Sequence, residues 1–174
     1  NVTIDLDYQM NTQPRRSREI TVFPNFDITD LLKERSLSSV LDQPALCSHC
    51  NEKQNMSVSS HFCNMPEILV IHVAPYKLQV DHFERIKVKI TFPETLLMKD
   101  CMIESKKNEE TKYKLFSVVV HAGPDPNFGH YYTYAFHDKR KEWFVFNDEV
   151  WSNCELSMVL QADPFLLFYQ KVTE

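Results

Sequence analysis

A predicted β-hairpin near the end of the chain carries the side chains best suited to chemistry. Residues 130–136 are aromatic and β-prone, residues 142–146 have the same character, and a polar stretch separates them. This pattern predicts two antiparallel strands joined by a short connection. A turn centred on Asp138 and Lys139 would set the register of the pairing.

The predicted register places His130 directly opposite Asn147, with Asp148 as the next residue. Directly opposed side chains have Cβ atoms roughly 5 Å apart. An amide there can accept a hydrogen bond from the imidazole, which fixes its tautomer and aims the other nitrogen at a nucleophile. The pattern makes His130 a candidate catalytic residue, with Asn147 as its orienting partner and the Asp148 carboxylate as the alternative partner. The competing interpretation is that these are ordinary polar residues at a strand end, and another turn length would shift the pairing.

Cys47 and Cys50 form a Cys-x-x-Cys pair, which is half of a tetrahedral zinc site. Two thiolates at this spacing can bind one metal ion from a tight turn. A single pair is also compatible with redox chemistry or with chance. His49, His61 and Cys63 are alternative local ligands.

The only two glycines of the chain, Gly123 and Gly129, lie in one short segment that also contains two prolines. This composition predicts a loop over 123–129. Glycines so concentrated indicate a backbone that needs unusual dihedral angles. Because His130 follows directly, the predicted loop ends at the candidate catalytic histidine.

The elements that must hold these residues are mostly short strands. One helix is predicted at 29–35, capped by Asp27 or Thr29, and a second at 37–41. The almost wholly polar residues 104–111 predict a solvated loop. Runs of β-branched and aromatic residues predict strands at 67–73, 113–121, 130–136, 143–146 and 165–170.

Composition and charge exclude several classes of function. The formal net charge is −5 and no basic stripe is available for phosphates, so we expect no nucleic-acid partner. The apolar runs are too short to span a bilayer, so we expect no membrane partner. Five cysteines at irregular spacing favour a reducing intracellular compartment over a disulfide scaffold. Because the chain starts at Asn1 rather than Met, we expect it to begin partway through a longer protein.

Several motifs in order resemble the catalytic domain of ubiquitin-specific proteases, whose histidine box reads Gly-His-Tyr, a strand, then Trp and Phe before Asp or Asn. The matching segments are the second zinc half-site at 47–50, the following strand at 65–72, the strand before the histidine loop at 113–121, the histidine box at 129–134 and 143–148, and the final strand at 164–169. The resemblance implies an α+β, papain-like cysteine protease fold dominated by an antiparallel sheet. It also implies that this chain is the C-terminal part of that domain, with about 1–72 in the fingers and about 73–174 in the palm.

The resemblance implies hydrolysis of the isopeptide bond after the C-terminal glycine of ubiquitin. His130 would be the general base toward a cysteine thiol and later the acid toward the leaving lysine amine. Asn147 would orient His130, with Asp148 assisting. For Cys47 and Cys50, the resemblance implies a structural zinc site whose other half lies upstream.

The resemblance also implies a channel for the ubiquitin tail. The segment that contains Gly123 and Gly129 would border it on one side, and residues 79–85 would border it on the other. Tyr131 and Tyr132, on the aromatic strand, would help to shape this channel. The implied partners are ubiquitin or a ubiquitin-like modifier, together with the N-terminal part of the same domain.

Two departures from the family pattern bear on function. No cysteine box is present, and none of the five cysteines substitutes for it convincingly, since a lone cysteine is more often a core residue than a nucleophile. We therefore expect the thumb with the cysteine box to lie outside this chain, which alone should be inactive. Where many relatives carry Lys-Arg-Phe, this chain has Ala74, Pro75 and Tyr76, and the proline should end or bulge its strand.

Three functional hypotheses compete. The first is the histidine-bearing part of an active deubiquitinase. The second is a catalytically inactive module that binds ubiquitin or acts as a scaffold, and the third is a zinc-stabilised structural module without affinity for ubiquitin. The presence of both His130 and Asn147 favours the enzyme, because a pure scaffold needs neither.

Overall fold

The largest structural unit is an eight-stranded mixed sheet. The computed structural model describes residues 2–5, 24–78, 81, 83–106, 111–125 and 127–172. With strands numbered in chain order, the sheet runs in space through β1 (Val2–Asp5), β7 (Ile68–Ala74), β16 (Leu166–Lys171), β12 (Lys112–Asp125), β13 (Phe128–His137), β14 (Glu142–Asn147) and β15 (Val150–Cys154), and β11 (Thr95–Leu97) also pairs with β12. The pair of β1 and β7 is parallel and the other pairs of this sheet are antiparallel. The five predicted strands and the mainly antiparallel sheet are therefore confirmed.

Alternating burial explains how the sequence builds this sheet. In β7, Leu69, Ile71 and Val73 are buried while their neighbours are less so. This period of two is expected of a strand with one face against a core. β7 ends at Ala74, since the following Pro75 has no N–H for the next ladder bond, as predicted.

The predicted first helix is confirmed as α1 (Ile28–Ser36). The Asp27 carboxylate accepts a hydrogen bond from the Thr29 N–H at 2.8 Å, so Asp27 is the N-cap. The helix buries Ile28, Leu31 and Leu32. The remaining helical elements of the described residues are α2 (Leu156–Leu160) and the 3-10 turns Lys99–Cys101 and Glu104–Lys106.

The predicted helix at 37–41 is wrong. Leu37 is extended, and β3 (Ser39–Val40) instead pairs with β6 (Ser57–Val58). Leu37 and Val40 are exposed, so a helix here would have no apolar face to bury, and short unsupported helices are unstable in water. The predicted loop at 104–111 is partly wrong, because it starts with a 3-10 turn and ends at the buried Thr111; its residues 107–110 lie outside the described residues.

Further strand pairs of the described residues lie outside the large sheet. They are β2 (Asn25–Asp27) with β10 (Lys89–Thr91), β4 (Ala45–Leu46) with β5 (Lys53–Gln54), and β8 (Tyr76–Leu78) with β9 (Phe83–Arg85). The predicted boundary near residue 72 falls within β7, and the division into fingers and palm stays a prediction. In the described part of the chain, no helix combines the length and the apolar character needed to cross a membrane.

Candidate active site

His130 and Asn147 are in direct contact. His130 lies near the start of β13, and Asn147 is the last residue of β14. The ring Nε2 is hydrogen-bonded to Asn147 Oδ1, and because an amide oxygen only accepts, the imidazole donates through its Nε2–H. In the neutral ring this leaves a lone pair on Nδ1, which has no hydrogen-bond partner among the described residues. A neutral imidazole held in this way can accept a proton from a nucleophile.

The predicted register of this hairpin is wrong by two residues, although the predicted contact is present. His137 pairs with Glu142, so the turn covers 138–141 and its centre lies one residue later than predicted. A shift of two residues keeps every side chain on the same face of the sheet. His130 therefore shares a face with Asn147 and reaches it diagonally, beyond the end of the β13–β14 ladder.

Asp148 lies at the edge of the site. Its carboxylate Oδ2 is 3.8 Å from His130 Nε2, and its side chain is 77% exposed. Asp148 has a φ of 52° and follows the last residue of β14, a left-handed backbone that Asp tolerates better than most residues. Asn147, rather than Asp148, therefore orients the ring, and Asp148 adds a longer electrostatic contact.

The five cysteines of the chain all lie within the described residues, and none is hydrogen-bonded to His130. Cys101 and Cys154 are buried, and burial raises the pKa of each thiol. A thiol with a raised pKa is mostly protonated at neutral pH and is a poor nucleophile. Cys63 is exposed. Cys47 and Cys50 lie together in a turn that is far from His130 in the sequence.

The glycine segment differs from its prediction. Gly123 lies in β12 and Gly129 lies in β13, so both strands extend into the segment 123–129 that was predicted to be a loop. Neither glycine has a positive φ, so unusual dihedral angles are not the reason for them. The reason is close packing, because a Cβ on Gly129 would overlap His121 Nε2 and one on Gly123 would overlap the Phe128 carbonyl oxygen.

Tyr131 and Tyr132 point to opposite faces of the sheet, as neighbours in a strand must. The Tyr131 ring is about half exposed and stacks on His121, with centroids 4.3 Å apart. Tyr132 is half-buried, on the face that carries His130, and its ring lies 5.7 Å from that of Tyr134. Their roles in substrate binding stay predictions.

Cys47 and Cys50 lie in the tight turn between β4 and β5. The Cys47 N–H donates to the Glu52 carbonyl, and the Asn51 N–H donates to the Cys47 carbonyl. Backbone N–H groups of Cys50 and His49, followed by the Cys50 thiol, lower the pKa of the Cys47 thiol. A thiol with a lowered pKa is a better metal ligand.

The donor set fits half of a tetrahedral zinc site, since two thiols lie in one turn. Among the described residues, no group of three or more His, Cys, Asp or Glu side chains could hold a metal ion. The alternative local ligands His49, His61 and Cys63 therefore do not complete the site. Zinc binding stays a prediction that requires further ligands.

A cluster beneath the glycine segment was missed by sequence reasoning. The buried imidazole of His121 contacts the Tyr76 hydroxyl, and Arg85 donates to the His121 carbonyl. Of the predicted channel loop 79–85, residues 79, 80 and 82 lie outside the described residues, and Phe83–Arg85 forms β9. The one sequence signal was Tyr76 itself, where the resemblance leads one to expect Phe.

Solved structures share this fold. A SAGA DUB module that contains a Ubp8 variant, a shortened Sgf11, Sus1 and Sgf73 matches with a TM-score of 0.75 and 25% identity, over 87% of this chain and 36% of that chain. A SAGA DUB module in which another Ubp8 variant is bound to monoubiquitin matches with a TM-score of 0.74 and 25% identity, over 87% and 35%. The described part of the chain therefore has the papain-like fold of these domains.

Sequence comparison gives the family. The sequence model of the ubiquitin carboxyl-terminal hydrolase family matches residues 11–169, and the chain belongs to that family. Ubiquitin carboxyl-terminal hydrolase 3 of Homo sapiens is 28% identical over 171 residues, which are 95% of this chain and 32% of that protein. Ubiquitin carboxyl-terminal hydrolase 20 of Arabidopsis thaliana is 29% identical over 132 residues, which are 75% of this chain and 19% of that protein. The chain thus spans at most about a third of the length of these relatives.

Proposed function

We propose that this chain is the histidine-bearing part of a thiol-dependent deubiquitinase. The reaction is hydrolysis of the isopeptide bond at the C-terminal glycine of ubiquitin or of a ubiquitin-like modifier. The observation that carries the proposal is the hydrogen bond from His130 Nε2–H to Asn147, in a chain of this family. The structural relative Ubp8, solved with monoubiquitin, supports ubiquitin as the partner.

In this proposal the two ring nitrogens of His130 have different roles. Nδ1 takes the proton of a cysteine thiol, and the thiolate attacks the carbonyl carbon of the terminal glycine. The imidazolium then gives this proton to the leaving lysine amine, which leaves a thioester. In the second half, His130 takes a proton from water, the resulting hydroxide attacks the thioester, and the thiol is restored. Asn147 accepts from Nε2–H throughout and keeps Nδ1 aimed at the reacting atoms.

Asp148 has a smaller role in this proposal. Its carboxylate attracts the imidazolium from 3.8 Å, but the His130 side chain is about half exposed and the Asp148 side chain is mostly exposed. Exposed ion pairs contribute at most about 1 kcal/mol because water and salt screen them. Asp148 therefore assists His130 without fixing its orientation.

We propose that the nucleophile comes from an N-terminal part of the same domain, outside this chain. The five cysteines of this chain make no hydrogen bond to His130, and the relatives are much longer than this chain.

The channel for the modifier's tail is assigned to the glycine segment and to the exposed ring of Tyr131, with Tyr132 supporting the strand from the other face. We also propose a structural zinc ion at Cys47 and Cys50 and an intracellular location, which five free thiols support.

The test uses the full-length protein and a ubiquitin probe with a thiol-reactive C-terminus. Wild type should be labelled, and His130→Ala should slow labelling by about a thousandfold, because general base catalysis contributes roughly 10²–10⁴-fold. His137→Ala is the matched control, since His137 is an exposed histidine in the same hairpin, and it should label at the wild-type rate. Full-rate labelling of His130→Ala would contradict the assignment.

Two further variants separate the orienting residues. Asn147→Ala should slow labelling by about thirtyfold, because the imidazole loses its hydrogen-bond acceptor, while Asp148→Ala should slow it by less than about threefold. A wild-type protein that binds ubiquitin without being labelled would favour the scaffold hypothesis instead.

A further inference from the structure

His121 is a buried histidine that the proposed reaction does not use. It is 2% exposed and lies on β12, opposite Tyr131 of β13. The face of the sheet that holds His121 is the one opposite His130. Its burial therefore calls for a role other than direct proton transfer to the substrate.

Both edges of the His121 ring are occupied. On one edge, Nδ1 lies 2.5 Å from the Tyr76 hydroxyl. On the other edge, Nε2 is so close to Gly129 that a Cβ atom on this residue would not fit. A Cβ atom on Gly123 would lie 3.0 Å from Cε1 of the same ring. The ring thus fixes the spacing between Tyr76 and the glycine backbone that leads into His130.

Arg85 holds the same strand by its backbone. Its Nη1 donates to the carbonyls of His121 at 2.8 Å and of Gly123 at 3.2 Å, while Nη2 contacts Asp163 at 3.4 Å. Arg85 pairs directly with Tyr76 in the β8–β9 hairpin. The β8–β9 hairpin therefore contacts β12 in two ways. Tyr76 contacts the His121 ring, and Arg85 donates to two backbone carbonyl groups.

We infer that Tyr76, Arg85 and His121 form a positioning unit that sets the backbone of Gly129 and His130 and so the aim of His130 Nδ1. The inference rests on the proposed function, since it gives the reaction a set of positioning residues. Reacting groups misplaced by about 1 Å can lose a hundredfold in rate, so a remote hydrogen bond of this kind can affect turnover. The unit also joins β8 and β9 to β12.

The test compares two substitutions that each remove one buried or half-buried hydroxyl. Tyr76→Phe removes the partner of His121 and keeps the ring. Tyr169→Phe is the matched control, because the Tyr169 hydroxyl donates to the Pro93 carbonyl at 2.7 Å, far from His130 in the sheet. In the full-length protein, Tyr76→Phe should lower kcat for a fluorogenic ubiquitin C-terminal amide by about tenfold with KM within about twofold, the pattern of an interaction needed at the transition state. Tyr169→Phe should leave kcat within about twofold, even if it lowers Tm as much as Tyr76→Phe does.

A second readout is independent of turnover. The imidazole NMR resonances of His130 should shift in Tyr76→Phe and stay in place in Tyr169→Phe. A full-length wild type that does not cleave ubiquitin would refute the proposed function, and these resonances would then decide the positioning claim alone. Unchanged resonances together with unchanged kcat in Tyr76→Phe, or an equal loss of kcat in Tyr169→Phe, would overturn the inference.

Coupling between the members of the unit gives a sharper measurement. Arg85→Lys keeps the charge but loses the guanidinium group that reaches two carbonyls at once. If the three residues act together, the double variant Tyr76→Phe with Arg85→Lys should lower kcat by clearly less than the product of the two single effects. Fully multiplicative effects would mean that the two side chains act separately and would overturn the single unit.

Discussion

Around His130 the sheet has strands of six to fourteen residues with one buried face, whereas around Cys47 and Cys50 the strands are two residues long and mostly exposed. The sheet region is defined here as 68–78 and 112–172, and the cysteine region as 37–66. In the sheet region, packed neighbours hold the catalytic candidates. In the cysteine region, few buried apolar side chains support the turn.

This difference bears on how each site can work. The proposed general base needs an orientation that exists before the substrate arrives, and the hydrogen bond from His130 to Asn147 would provide one. A structural metal site can form together with its ligand, because metal binding contributes to folding. The two regions should therefore differ in reactivity, in sensitivity to substitution and in response to zinc.

Thiol reactivity should show the largest contrast. Under native conditions, iodoacetamide should modify Cys47 about a thousandfold faster than Cys101 or Cys154, because buried thiols react only when the structure opens. The lowered pKa of Cys47 keeps part of it as the reactive thiolate at a pH where an ordinary thiol is protonated, whereas burial raises the pKa of the other two. Peptide mass spectrometry over time measures all three rates.

The exposed Cys63 is the control for reagent access, and it should be modified in the native protein. All five cysteines should react at similar rates in denaturant. A native rate for Cys154, which lies in the sheet region, that approaches the rate of Cys47 would show that the core of this region is loose and would remove the contrast.

Core substitutions should show the next largest effect. Leu167 is fully buried in β16 and Leu46 is 64% exposed in β4. Leu167→Ala should lower the free energy of unfolding by about 3 kcal/mol, since it removes buried contacts and leaves a cavity. Leu46→Ala, the same chemical change in the cysteine region, should alter it by less than about 0.5 kcal/mol. Urea denaturation of both variants makes the comparison, and equal losses would contradict it.

Much of the sheet region could be predicted because its signals are local. A short apolar run rich in β-branched residues defines β7, and aromatic runs define β13 and β14. The contact of His130 with Asn147 was predicted correctly from a wrong register, because a two-residue shift preserves the face. The N-cap at Asp27 has an equally local cause.

The failures depend on tertiary contacts that no local pattern reports. The 138–141 turn ends at Lys141, which adopts a φ of 57°, a left-handed backbone that the residue type does not signal. The glycines are required by a histidine ring packed against their backbone, not by their own dihedral angles. The hydrogen bond from Arg85 to the His121 carbonyl joins residues that are 36 positions apart in the sequence. The helix expected at 37–41 failed because residues 57–58 offered a strand to pair with.

The response to zinc should be the smallest effect, and it is the most specific to the cysteine region. If Cys47 and Cys50 supply half of a zinc site in the full-length protein, zinc at about ten times its Kd should stabilise the bound state by about 1.4 kcal/mol. Amide hydrogen exchange should then slow by about tenfold in residues 45–54, where the two cysteines and their strands lie, and should not change in β13. Cys50→Ser should abolish the protection, while Cys63→Ser, which removes an exposed thiol outside the turn, should preserve it. Equal exchange with zinc and with a chelator would mean that the turn keeps its shape without metal, and the two regions would then differ in packing alone.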